Sequence, residues 1–194
     1  MTRRADIKRE TAEVTINGHL ELDGSGVSQV KTGLGFLDHM LATLAKHGGF
    51  DIEVIAVGDT NVDDHHTVED CAIVIGRAID QALGDRSGIA RFGYAYAPLD
   101  ESLSRAVVDL SGRPWPEISI EFSRDTIGEV ATENILHFLR SLAIEGRMAL
   151  HIDLIRGDND HHKAESAFKA LAMALRSAVS PSGGEVLSTK GTLT

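Results

Sequence analysis

Residues 62–70 read VDDHHTVED and residues 158–165 read DNDHHKAE. Each stretch places two adjacent histidines before a glutamate that follows the second by three residues, and each leads into an apolar run at helical spacing. Working outward from the first copy, HHTVEDCAIVIGRAIDQALG (65–84) reads as a long helix with Asp64 as N-cap and Gly84 as its stop. Before it stand EVTINGHLELDG (13–24) and VSQVKTG (27–33) as strands. FLDHMLATLAKHGG (36–49) follows as a helix ending at Gly48-Gly49, and FDIEVIAVGD (50–59) as a strand. The second copy sits in the same order. ESLSRAVVDLSG (101–112) and PEISIEF (116–122) read as strands, EVATENILHFLRSLAIEG (129–146) as a helix and ALHIDLIRG (149–157) as a strand. HHKAESAFKALAMALRSAV (161–179) then forms a long helix with Asp160 as N-cap.

Both halves therefore read strand, strand, helix, strand, helix. His39 and His137 are 98 residues apart, the histidine pairs 96, and Glu13 and Glu101 88. A duplicated α+β unit is the economical explanation. It predicts one domain over residues 1–194, with sheets packed on helices and halves at about 8–95 and 96–180. The tail, 181–194, is rich in Ser, Gly and Thr and needs a partner to hold it.

A chain of 194 residues with 42% hydrophobic content can bury a real core and reads as a soluble globular protein. A net charge of −10 argues against a nucleic-acid groove, while leaving room for a local basic pocket. The lone Cys71, inside the apolar run CAIVIG, excludes an internal disulfide and a thiolate cage for zinc. No segment approaches the roughly 20 apolar residues that span a bilayer. The start, MTRRADIKRE, is basic with no apolar stretch behind it, so it does not read as a secretory signal; no membrane partner is expected and a cytoplasmic location is the default.

Successive helix residues point about 100° apart, so adjacent histidines diverge and cannot sit side by side on one ion. His65 and Glu69, at i and i+4, can face the same way; so can His66 and Glu69, at i and i+3. The same holds for His161, His162 and Glu165. Each motif therefore suits two different ions, one histidine to each. With His39 and His137 the count is six histidines and two glutamates, four donors per ion for two ions. On an octahedral ion that leaves two open positions. Imidazole and carboxylate together suit Mn, Fe, Co or Zn. A single buried histidine is more often a core residue, and an acidic pair such as Asp63-Asp64 at a helix start is usually a cap. A duplicated histidine pair with its glutamate has no such ordinary explanation. His19, His47 and His151 lack a duplicated counterpart and read as structural; His47 stands at a helix end that it can stabilise.

Taken together, TGLGFLDHML, KHGGFDIEV, GDTNVDDHHTVEDCAIVIGRAI, GIARFGYAYAPLDE, DLSGRP, GDNDHHKAESAFKALA and STKG resemble imidazoleglycerol-phosphate dehydratase of histidine biosynthesis, in the family's order from about residue 8 to residue 192. The resemblance implies a hydro-lyase converting D-erythro-imidazole glycerol phosphate to imidazole acetol phosphate, on a ribosomal protein S5 domain 2-like fold. It also implies two Mn²⁺ ions per active site, gripping the imidazole ring as Lewis acids and template, and a shell of twenty-four identical subunits with metal sites completed between chains.

His39, His65, His66, Glu69, His137, His161, His162 and Glu165 match the family's metal-binding positions. Glu13 and Glu165 are its candidate proton-transfer groups, with Asp100 and Glu101 as further possibilities. Arg91, Arg113, Lys169, Ser188 and Lys190 match its phosphate contacts; guanidinium forks and an ammonium point charge both suit phosphate oxygens. The Ser/Gly-rich end would then be a closing flap. Before STKG the chain has Leu187, where the family usually has proline. A fused phosphatase, known in some members, has no room here, so a monofunctional enzyme is expected.

Two rival readings use the same residues. A dinuclear metallohydrolase would release phosphate from its substrate, which a dehydratase keeps. A metal-storage bundle would be nearly all helix, against at least six strand-like segments here, and would not need Arg91, Arg113 and Lys169. His66→Ala or His162→Ala is expected to abolish turnover and lower bound metal, measured by dehydration assay and elemental analysis. Full activity in either variant would remove these residues from the metal assignment.

Overall fold

The computed structural model describes residues 3–184, 187–189 and 193. The first half runs β1(Arg4–Glu10), β2(Val14–Glu21), β3(Ser28–Lys31), α1(Gly35–Gly48), β4(Asp51–Gly58), α2(His65–Leu83). The second runs β5(Phe92–Leu99), β6(Ser102–Asp109), β7(Trp115–Ser119), a small hairpin β8(Thr126–Ile127)–β9(Val130–Ala131), α3(Thr132–Glu145), β10(Ala149–Arg156), α4(Asp160–Ala178). Strand order is β1-β2-β4-β3 in one sheet and β5-β6-β10-β7 in the other, the same topology twice. In each sheet the last pair is parallel, β3 with β4 and β7 with β10, bridged by a crossover helix.

Each half thus carries one more leading strand than the sequence pattern indicates. β1 was hidden because its side chains are mostly polar: Ala5 alone is fully buried, and Arg9 reaches inward to pair with the buried Asp70 of α2 at 2.8 Å. β5 was hidden because its alternation is inverted. Gly93, Ala95 and Ala97 face the core while Phe92, Tyr94 and Tyr96 stand in solvent. The cause is α4, which lies directly on β5: a Cβ on Gly93 would run into the backbone oxygen of Ala174. The division at residues 95 and 96 falls inside β5, so the second half begins before Phe92. Glu13 and Glu101 occupy the turns joining the first two strands of each sheet.

The helices lie between the sheets. α1 and α2 pack on the first sheet, α3 and α4 on the second, and across the middle α2 packs on α3 and α1 on α4. Their facing sides supply the deepest core, including Met40, Leu41, Leu139, Leu142 and the Phe138–Phe168 pair, whose ring centroids are 5.5 Å apart. At the far end of α2 and α3 the backbones nearly touch: a Cβ on Gly76 would lie 2.8 Å from Glu145 Cβ and 2.9 Å from Gly146 N.

Two expected caps do other work. Asp64 is the N-cap of α2, but its side chain makes no cap bond there; Oδ2 accepts from Ala131 N–H at 2.8 Å and Oδ1 from the Asn134 amide at 2.9 Å, tying the starts of α2 and α3 together. Asp160 is the first residue of α4 and not its cap. Asn159 is the cap, accepting from His161 N–H at 2.9 Å. The Asp160 carboxylate instead accepts from Ser123 N–H at 2.9 Å, Arg124 N–H at 2.7 Å and the Lys163 ammonium at 2.8 Å, fixing the loop after β7 onto α4. Gly84, with φ of 56°, ends α2 as expected.

Asp160 is 2% exposed and Lys163 5%, so removing the carboxylate leaves a buried cation unpaired. Asp160→Ala is expected to cost about 3–5 kcal/mol in denaturant unfolding. Burial works to raise this carboxyl, but Lys163 and the two backbone N–H groups outweigh it and hold it below its ordinary 3.8. Its contribution is therefore present above pH 3.8 and lost as pH falls toward the lowered folded value. The stability gap between wild type and variant should narrow below about pH 4.

Candidate functional site

The packing of α2 on α3 brings His65, Glu69 and His137 together, and the packing of α1 on α4 brings His39, His161 and Glu165 together. Within each trio the ligand atoms lie within 4.8 Å of one another. In the first, His137 Nε2 is 2.9 Å from Glu69 Oε1 and His65 Nε2 is 3.8 Å from Glu69 Oε2. In the second, His39 Nε2 and His161 Nε2 stand 3.1 and 3.2 Å from the same oxygen, Glu165 Oε2. All four imidazoles thus present Nε2 to a carboxylate.

The i and i+4 pair of each motif closes the trio, and the second histidine turns away; the two rings of each pair stand nearly perpendicular, at 78° and 89°. His66 Nδ1 meets Asp59 at 3.1 Å and its Nε2 lies 3.6 Å from Glu13. His162 Nδ1 meets Glu101 at 2.8 Å and its Nε2 lies 4.0 Å from Asp100. Of the four donors per ion expected, three meet in each trio within this chain, and His66 and His162 point out of the trios. Asp59 and Asn134, which holds His65 Nδ1 at 2.9 Å, were not singled out from sequence. Comparing the halves could not have found Asp59, since the matching bond to His162 comes from a different element, the β5–β6 turn.

Charge is arranged around these groups. Burial works to raise the Glu165 carboxyl, yet the Lys169 ammonium at 2.8 Å and His39 outweigh it and hold it at about 2. The side-chain bond from His162 holds Glu101 well below the ordinary carboxylate range and raises His162 in turn. The side-chain bond to Asp59 likewise raises His66. A trio of two imidazole nitrogens and one carboxylate fits a divalent Mn, Fe, Co or Zn ion and leaves coordination positions open.

Among the basic residues, Arg91, Arg113 and Ser188 line one cleft of about 660 Å³ with Phe92, Leu187, Thr189 and Leu193. Arg91, at φ 67°, is gripped by Asp109 at 2.7 and 3.0 Å and also donates to the Leu187 carbonyl. Lys169 is not in that lining; it is engaged with Glu165. Lys190 lies outside the described residues. The start of the tail is fastened, with Ser182 N–H donating to Gly88 O at 2.8 Å. Of the remaining histidines, His19 bonds Asp6 at 2.8 Å on the outer face of the first sheet, His47 ends α1 with its ionisation lowered by burial, and His151 is exposed on β10.

The sequence profile of the imidazoleglycerol-phosphate dehydratase family matches residues 32–175. An imidazoleglycerol-phosphate dehydratase of Methanothermobacter thermautotrophicus is 53% identical over 191 residues, 98% of each chain. One from Phytophthora nicotianae is 55% identical over 192 residues, and the chain spans 42% of that longer protein. The crystal structure of the Staphylococcus aureus imidazoleglycerol-phosphate dehydratase superposes with a TM-score of 0.83 at 38% identity, covering 92% of this chain and 99% of that one.

Proposed function

The chain belongs to the imidazoleglycerol-phosphate dehydratase family, metal-dependent hydro-lyases that dehydrate imidazoleglycerol phosphate in histidine biosynthesis, and we propose that it does so on two Mn²⁺ ions held by the two glutamate–histidine trios. The observation that carries this reading is the convergence of four Nε2 atoms on two glutamates. When bound, the ions supply Lewis acidity to the imidazole ring of the substrate.

The chain's own residues do the rest. His39, His161 and Glu165 hold one ion, and His65, Glu69 and His137 the other. His66 and His162, whose Nδ1 atoms are taken by Asp59 and Glu101, keep Nε2 for an ion outside their own trios. That favours a homo-oligomer with sites completed between chains, of twenty-four subunits as in the family. The reaction takes a hydroxyl from the carbon bearing the ring and a proton from the next carbon. The resulting enol becomes the ketone, imidazole acetol phosphate. Glu165 is tied to Lys169 and two histidines. Glu13, half-exposed beside His66, is therefore the better proton acceptor, and Glu165 acts chiefly as a ligand.

The substrate phosphate is assigned to the Arg91–Arg113 cleft, with Ser188 and Lys190 from the tail. Among the described residues, Arg91 donates to Asp109 and Leu187 through three of its five N–H groups, with two remaining for phosphate. Lys169 is assigned to steering Glu165, and reaches phosphate only if that pair opens. A cytoplasmic location completes the proposal; among the described residues no helix is long and apolar enough to cross a membrane.

The test is to strip the protein with a chelator, supply imidazoleglycerol phosphate, and assay ketone and inorganic phosphate with and without Mn²⁺. Ketone formed only with Mn²⁺, and no phosphate released, is expected. Phosphate release would favour the hydrolase reading. Arg113→Ala should raise KM about tenfold or more, the scale of one lost charge-assisted bond, with metal content unchanged.

A further inference from the structure

The two trios are built from matching positions, but their surroundings do not match. The residue three before the α3 histidine, His137, is Asn134; the residue three before the α1 histidine, His39, is Phe36. Asn134 is buried, and its amide donates to Asp64 Oδ1 at 2.9 Å. The amide orientation is thereby fixed, its oxygen faces His65 at 2.9 Å, and His65 Nδ1 must carry the hydrogen. Asp64 is itself locked by Ala131 N–H. His65 is therefore held in one tautomer, with the Nε2 lone pair aimed at the trio. At the matching place Phe36 meets His161 edge-on, with centroids 5.3 Å apart, and offers no acceptor.

The glutamates differ as well. Four residues after Glu165 stands Lys169, its ammonium 2.8 Å from Oε1; four residues after Glu69 stands the uncharged Ile73. Both oxygens of Glu69 face imidazoles, whereas Glu165 faces its two imidazoles with Oε2 alone. A hydrogen-bonded outer partner on a histidine strengthens it as a ligand. An ammonium on a carboxylate draws charge away from it and competes with a cation.

We infer that the two metal positions are unequal and fill in order: the His65–Glu69–His137 trio binds its divalent ion first and more tightly, and the His39–His161–Glu165 trio second and more weakly. Asn134 and Lys169 are the positioning residues that set the difference. The inference rests on the reading of the trios as metal sites. It gives the second ion a role in substrate binding, since the weaker position is the one a chelating ligand would help to fill.

Metal-stripped full-length protein would be titrated with Mn²⁺, following free ion by electron paramagnetic resonance, with circular dichroism and sedimentation confirming the same fold and assembly in every variant. Wild type is expected to bind in two classes of one equivalent per chain. Asn134→Leu should weaken the tight class about 10- to 100-fold and leave the weak class in place. Lys169→Met should tighten the weak class only. His137→Ala should delete the tight class and His39→Ala the weak one. Two equal classes in wild type, or loss of the tight class in His39→Ala, would overturn the ordering while leaving both trios as metal sites. Fewer than two equivalents in correctly folded wild type would overturn the metal reading itself, and the ordering with it.

Discussion

Each trio is closed by one helix from each half of the chain, and most of what the molecule does depends on that crossing. α2 brings His65 and Glu69 from the first half to His137 of the second; α1 brings His39 of the first half to His161 and Glu165 of the second. Neither half contains a complete set of three. The contact that joins them is the apolar packing of α2 on α3 and of α1 on α4 between two sheets, with Gly76 permitting the close approach of α2 to α3. Burial of these faces is the main stabilising term in such an interior, and ligand geometry follows from it. A cavity or a bulky residue at the helix interface would therefore be felt as a displaced imidazole as well as a loss of stability.

Polar groups at the helix starts refine what packing sets. Asp64 binds the start of α3, and Asp160 binds the loop after β7. Both are acidic residues beside a histidine pair, where a side-chain cap would be the ordinary role, yet each gives one oxygen to backbone N–H groups of another element and the other to a side chain, Asn134 for Asp64 and Lys163 for Asp160. That placement ties down the ends of the helices from which His65 and His161 project. The outer histidines are oriented by Asp59 and Glu101, which come from unrelated places in the chain. The twofold plan thus holds for the trios and for the strands, while the groups behind the trios differ. The two trios, alike in design, therefore differ in the groups that hold their side chains. The Arg91–Arg113 cleft shows the same economy: Arg91 is locked by Asp109 and reaches the tail through the Leu187 carbonyl, so the tail and the cleft proposed for phosphate are physically joined in a chain that is acidic overall.

The sequence by itself was enough for the repeated order of elements, the α+β class, the four helices and the family, and it nominated the eight residues proposed as ligands. Those features are local: helical periodicity, a repeated HHxxE and blocks of recognisable order survive in one dimension. Beyond its reach were β1, whose inward face is a small residue and an ion-paired arginine, and β5, whose large side chains point outward because α4 presses on Gly93. Alternation of hydrophobicity signals a strand only where the buried side carries the bulk. Which histidine of each pair joins its glutamate was also left open, since i+3 and i+4 spacings both allow contact. Helix packing decided it, selecting His65 and His161 and turning His66 and His162 toward acidic partners. The pairing of α2 with α3 and of α1 with α4, and the separate surroundings of the two trios, required the tertiary structure for one reason. They are contacts between segments some 70 to 130 residues apart in sequence, and no local pattern records which distant surface a helix will meet.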